Sequence, residues 1–369
     1  MRSLLVATRK GLFALQQTAG HAADAWQISP PHFAGEPVTQ VLADARDGSW
    51  YAALRLGHFG IKLHRTCDSG KTWAEVAAPA FPLKPTSGPL ADDTTPWSVD
   101  LIWSLAAGGT DEPGTLWAGC IPAGLFKSTD FGASWTLNMP LWEQPGRREW
   151  MGGGYDHAGI HSILVDPRDS RHVTVAVSCG GVWQTHDGGA SWLLTASGMK
   201  ADYLPAESVD DGNTQDPHCM VHCGAQPDKL WVQHHCGIYR STNGGQQWDS
   251  IAAPAPSGFG FAVACDPHNP NRAWFVPAQA DACRIPVDGR MVVTRTDDGG
   301  KSFKVFVDGL PQQHAYHLAY RHGLDVTPDG KTLALASTTG SLWISRDAGE
   351  HWHCVSNDLP PVAAVRFVA

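Results

Sequence analysis

No run of lysine or arginine in this chain could follow a phosphate backbone. Basic residues number 27 against 36 acidic ones, giving a formal charge of −9. Nucleic acid is thereby excluded as a partner, because its binding rests on neutralised phosphates. Long apolar runs are missing too: none approaches the roughly 18 residues of a membrane span, and the opening Met1-Arg2-Ser3-Leu4-Leu5-Val6-Ala7-Thr8-Arg9-Lys10 is too short an apolar run for a secretory signal. No membrane association and a cytoplasmic location are expected. Charged residues make up only 17% of the chain, which argues against disorder. Cysteine is scattered: nine residues, an odd number, with no small-scaffold spacing. Free thiols are expected.

What is present is a core and many turns. Hydrophobic residues reach 43%, with 39 glycines and 26 prolines, a globular and turn-rich composition. An eight-residue pattern, Ser/Thr-x-Asp/Asn-x-Gly-x-x-Trp/Phe, recurs six times: Thr66/Asp68/Gly70/Trp73, Ser128/Asp130/Gly132/Trp135, Thr185/Asp187/Gly189/Trp192, Ser241/Asn243/Gly245/Trp248, Thr296/Asp298/Gly300/Phe303 and Ser345/Asp347/Gly349/Trp352. Each copy is a hairpin turn in which hydroxyl and carboxylate satisfy backbone N–H groups, glycine takes a left-handed conformation, and the aromatic residue packs as the next strand begins.

The acidic or amide positions of successive copies lie 62, 57, 56, 55 and 49 residues apart, a four-stranded blade each with loops of varying length. Before most turns stands Gly plus two apolar residues, as in Gly124-Leu125-Phe126, Gly181-Val182-Trp183 and Gly237-Ile238-Tyr239. Leu4–Trp26 reads as a seventh unit without its turn motif or innermost strand, and 361–369 reads as an innermost strand with nothing after it. The expected fold is therefore an all-β, seven-bladed β-propeller. One domain over 1–369 is expected, with blades at 38–80, 97–142, 158–197, 217–252, 258–305 and 315–356, and a closing blade of 362–369 with 2–28.

These boxes resemble the Asp-box (BNR) repeats of sialidases and of related propellers, including photosystem II assembly factors and sortilin-type receptors. The resemblance implies the fold and leaves the function open. A sialidase-like glycoside hydrolase would carry an Arg-Ile-Pro before the boxes and further arginines for a substrate carboxylate. Arg284-Ile285-Pro286 is present, but inside the fifth blade.

Long irregular segments fall at 78–97, 139–160, 197–217 and 277–290, and ten of the 18 histidines fall in such links, inner turns or innermost strands. Imidazole is the commonest ligand of Zn, Fe, Cu and Ni. A divalent transition metal is expected on His161, His222 and His234, with His157, His218 and His235 as alternates or supporting groups. Asp156 and Asp216 are candidate catalytic proton acceptors. Arg147, Arg148, Trp150, Tyr155 and Arg284 are candidates for gripping a small polar or anionic ligand. Three function classes follow: a metal-dependent hydrolase or lyase acting on a small molecule, a non-catalytic scaffold binding a protein partner, and a sialidase-like hydrolase. Hydrogen-bonded channel filling is the bland alternative for the histidines.

Overall fold

The computed structural model describes residues 2–18, 25–252 and 254–368. Residues 19–24 of the expected closing-blade segment, and the two end residues of the expected domain, lie outside the described residues. The chain forms seven four-stranded antiparallel sheets, a seven-bladed β-propeller as the repeat pattern predicts. Packing divides it into two compact units, residues 46–217 and residues 1–45 with 218–369.

In the unit 46–217, blade two runs Leu101–Ala107, Leu116–Ile121, Leu125–Ser128 and Thr136–Leu137. Blade three runs Ile160–Asp166, Asp169–Val177, Gly181–Thr185 and Leu193–Leu194. Trp117, Ile160, Val173, Val175, Val177, Trp183 and Trp192 form one buried cluster between these blades. Alternate side chains of each strand reach a neighbouring sheet, which is why the aromatic residue of each Asp box is buried or half-buried. The link 139–160 is not featureless. Asn138 caps a single helical turn, Met139–Trp142, by accepting from the Leu141 N–H at 3.0 Å. The same amide donates to the Gly189 carbonyl at 2.8 Å and accepts from the Trp192 indole at 2.8 Å, tying the link to the Asp box of blade three.

In the other unit, blade four runs Pro217–Cys223, Gln226–His234, Gly237–Ser241 and Asp249–Ser250. Blade five runs Gly260–Cys265, Ala273–Pro277, Val293–Thr296 and Lys304–Phe306, and blade six Leu324–Val326, Leu333–Ala336, Leu342–Ser345 and His353–Ser356. The closing blade orders its strands Val362–Val368, Ser3–Thr8, Gly11–Gln17, Trp26–Ile28. The C-terminal strand pairs antiparallel with Ser3–Thr8 from Ser3↔Val368 to Ala7↔Ala364, followed by a bulge. Leu4, Val6, Val365 and Phe367 join Leu342 and Ile344 of blade six in a common core.

The Asp-box turn is built as its residues require. Thr66 Oγ1 donates to Asp68 Oδ1 at 2.7 Å and accepts from the Gly70 N–H at 3.1 Å; Asp68 Oδ1 accepts from the Thr72 N–H at 2.9 Å. The other copies repeat this. Gly70 takes φ +85° as the motif predicts, and the residue before it is left-handed as well: Ser69 at +58°, Phe131 at +60°, Gly188 at +74°, Gly244 at +73°, Gly299 at +79° and Ala348 at +59°.

No helix among the described residues is long and apolar enough to cross a membrane.

Candidate functional site

In the unit 46–217, the expected lid of Arg147, Arg148 and Trp150 sits on a short 3-10 turn, Pro145–Glu149. Arg147 is 4% exposed. Its guanidinium donates to the Asp93 carboxylate, to the Trp142 carbonyl and, at 3.2 Å, to Thr95 Oγ1, and lies 3.9 Å from the Trp142 ring centroid. Burial works against the Asp93 charge, yet the Thr95 N–H and the Arg147 guanidinium hold that carboxyl below its usual range. Arg147 is thus committed to a buried ion pair that anchors the link. Arg148 donates to the Pro89 carbonyl. Trp150 donates to Asn213 Oδ1 at 2.8 Å and packs on Trp183. Tyr155 and Asp156 are exposed, and Tyr155 meets Trp103 edge-on. His157 is half-buried beside Arg147, Trp142 and Trp150. His161 is fully buried against Trp103, with Nδ1 2.9 Å from Ser162 Oγ. Asp216 is buried and accepts the Cys179 N–H through Oδ1 at 3.1 Å.

In the other unit, His234 at the end of its strand accepts the Cys236 N–H on Nδ1 at 3.1 Å. A neutral ring in that tautomer carries its proton on Nε2, so it has no lone pair left for a metal. His222 is half-buried on the first strand of blade four. His218, four residues earlier, is arranged oppositely to His234. Its Nδ1 lies 2.6 Å from the Gly260 carbonyl. A carbonyl can only accept, so Nδ1 holds the proton and Nε2 holds the lone pair. A ligand imidazole whose other nitrogen donates to a carbonyl is the usual arrangement around metals. The ring is further fixed by stacking on Phe261, centroids 4.4 Å apart and planes 11° apart. His235 meets His218 edge-on at 5.4 Å and Phe259 at 5.8 Å.

In this unit the imidazoles of His218 and His235 each present one ligand atom, and these atoms lie within 4.8 Å of one another. His161, His222 and His234 are the ligands expected from sequence, with His218 and His235 as alternates; in this unit it is the alternates whose ligand atoms lie close together. Two ligands of one tetrahedral ion lie about 3–4 Å apart, so binding would draw these side chains slightly inward. Imidazole donors suit Zn, Cu, Fe or Ni.

Sequence reasoning missed the aromatic frame of this group. Phe261 carries His218 on its face, meets Tyr320 edge-on at 5.0 Å, and has the guanidinium carbons of Arg284 and Arg321 each 5.4 Å from its centroid. Arg284 is ion-paired with Asp281 at 2.5 Å. Burial opposes its charge, but Asp281 and Tyr320 raise its pKa above the ordinary value.

Comparison with known proteins places this architecture. A GH74 enzyme from Niastella koreensis superposes with TM-score 0.62 at 16% identity, covering 97% of this chain and 52% of that one. An ancestral GH74 enzyme gives TM-score 0.60 at 17% identity, over 86% of this chain and 38% of that one. YCF48 bound to D1 peptide gives 0.51 at 15%, over 86% and 81%. The likeness is one of fold. The chain spans about half or less of the GH74 chains. The GH74 and YCF48 neighbours share with this chain the propeller fold that its six turns predict. No protein-family model and no curated protein matches the chain.

Proposed function

We propose that this propeller binds a divalent transition metal on blade four through His218 and His235. The resulting site would serve a hydrolase or lyase acting on a small polar or anionic molecule. The observation that supports it most is the 2.6 Å contact between His218 Nδ1 and the Gly260 carbonyl, which turns the Nε2 lone pair to the ligand role beside a second imidazole. When bound, such an ion polarises a substrate oxygen or lowers the pKa of water. The chain's own part is to orient the imidazoles against Phe261 and Phe259, which also limit water at the site. Arg284, over the Phe261 ring with its guanidinium carbon 5.4 Å from the centroid, supplies a positive charge for an anionic substrate. All nine cysteines are free, which fits a reducing, cytoplasmic setting.

The test is metal content by plasma mass spectrometry on untagged protein. Near one ion per chain is expected, falling below a fifth of that in His218→Ala and His235→Ala and unchanged in His234→Ala. A metal-free wild type, or full retention in both ligand variants, overturns the reading.

A second reading is a scaffold for a protein partner. It is supported by the fold shared with a YCF48 captured on a peptide and by Met151, Tyr155 and Tyr203, 47%, 43% and 45% exposed on the long links of one unit. Affinity capture from native lysate is expected to recover one partner that Tyr155→Ser with Tyr203→Ser releases; equal recovery by that variant counts against it. A glycoside hydrolase reading has only the GH74 fold behind it, and cleavage of a glycosyl fluorophore would be its test.

A further inference from the structure

A cavity of about 560 Å³ lies beside blade six, away from the residues of the proposed metal site. Its size is in the range of small-molecule sites, about 300–1,000 Å³. It is lined from three directions: Leu310 and Pro311 from the link before the blade, Thr339, Ser341 and Trp343 from the middle hairpin, and Asn357 from the turn after the last strand. His317 closes it, with its ring edge-on to the Trp343 indole at 5.1 Å.

The chemistry of these walls is unusual in one respect: among the described residues, no aspartate, glutamate, lysine or arginine lines the cavity. Burial lowers the His317 pKa, which favours the neutral ring. A charged ligand would find no counter-charge and would have to be desolvated without compensation. Three polar groups on the walls have unused hydrogen-bonding capacity within the protein. Ser341 is buried and takes part in the turn through its backbone alone, donating its N–H to Ser337 Oγ at 3.2 Å and accepting the Ser337 N–H at 2.9 Å. Its hydroxyl makes no hydrogen bond to any of the described residues. Asn357 accepts from the Cys354 thiol on Oδ1 at 3.3 Å, and its amide NH₂ is unused. His317 spends Nδ1 on Thr339 Oγ1 at 2.6 Å, leaving Nε2 for a ligand. Ser341 is the buried one of the three, and a buried polar group left unmatched costs free energy, which a ligand bearing several hydroxyls would recover, with its C–H faces against the Trp343 indole and Pro311.

We propose that this cavity is a second binding site, for a neutral polyhydroxylated small molecule of monosaccharide size, recognised by Ser341, His317 and Asn357. The proposal stands apart from the metal reading, because no residue is shared.

Saturation-transfer NMR on the full chain tests it, with D-glucose and myo-inositol as neutral probes and D-gluconate and D-glucosamine as charged counterparts. Transfer from at least one neutral probe is expected, at least fivefold weaker from the charged ones. Asn357→Leu, at an exposed position, and Ser341→Val are each expected to weaken transfer at least fivefold, with an unchanged melting temperature as the check on folding. His218→Ala is expected to leave transfer intact. Absence of transfer from both neutral probes, equal transfer from the charged ones, or unaltered transfer in a folded Asn357→Leu protein overturns the proposal.

Discussion

Arg147 and Asp93 show how a residue that looks functional in sequence is consumed by structure. The run Arg147-Arg148-Glu149-Trp150 beside three glycines has the composition of a ligand-gripping lid. Folding instead buries the guanidinium against Trp142 and closes it on a carboxylate 54 positions earlier in the chain, a distance no local pattern reveals. Removing one partner of a buried ion pair leaves the other charge uncompensated, at about 3–5 kcal/mol. Arg147→Ala is therefore expected to destabilise the protein by that order in urea unfolding. Arg147→Met paired with Asp93→Leu should recover most of it, because both charges then go. A single Arg147→Ala protein as stable as wild type would show that the link does not depend on the pair. The histidines carry the same lesson at finer grain. His218 and His234 look equivalent in sequence, yet one donates from Nδ1 to a carbonyl and the other accepts an N–H there. Their capacities to hold a metal differ for that reason.

The Asp box is the element that sequence reveals best, because its hydrogen bonds all fall within seven residues. Its second left-handed position was hidden, since Ser69, Phe131, Gly188, Gly244, Gly299 and Ala348 share no chemistry. A non-glycine residue there costs about 1 kcal/mol, so Ala348→Gly is expected to raise the melting temperature by about 1–2 °C; a fall would mean that chain entropy outweighs the strain. The carboxylates offer an independent check. The Thr72 N–H with the Thr66 and Thr72 hydroxyls pulls the Asp68 pKa to about 2, and the Ser302 hydroxyl and N–H do the same at Asp298. Both values lie below the ordinary carboxyl range near 4. Stability from a depressed carboxyl is complete above the unfolded pKa and lost as pH falls through the folded one. The expected acid limb therefore runs from about pH 4 down to about pH 2. Asn243 shows that an amide can hold the turn, accepting the Gln247 N–H at 3.1 Å without titrating. Asp68→Asn with Asp298→Asn should accordingly flatten melting temperature against pH between 5 and 2; an unchanged slope would place the acid sensitivity elsewhere.

At the scale of the whole molecule, the closure of the propeller was legible for the same reason the boxes were. The seventh unit lacked a strand and the C-terminal segment supplied one, so the pairing Ser3–Thr8 with Val362–Val368 followed from counting. The blade count needed no knowledge of side-chain contacts, only a turn motif of fixed chemistry at blade-sized intervals. The sites resisted because they depend on which residues of distant loops come together: Gly260 reaching His218, or Asn357 reaching the cavity that Ser341 lines. The closing strand also has an energetic role that can be measured. Val365 is fully buried with Leu4, Val6 and Leu342, and removal of the strand would strip that cluster and leave Ser3–Thr8 as an unpaired, strongly apolar edge. Such an edge invites pairing with another chain. Deletion of residues 362–368 is expected to lower the melting temperature and to shift the protein toward dimers or larger species in size-exclusion chromatography. A synthetic peptide spanning 359–368 added in trans should restore both, since it supplies the same backbone partners and the same buried valine. A truncated protein that stays monomeric and melts as the intact one does would show that blade six, not the strand pairing, holds the closing blade in place.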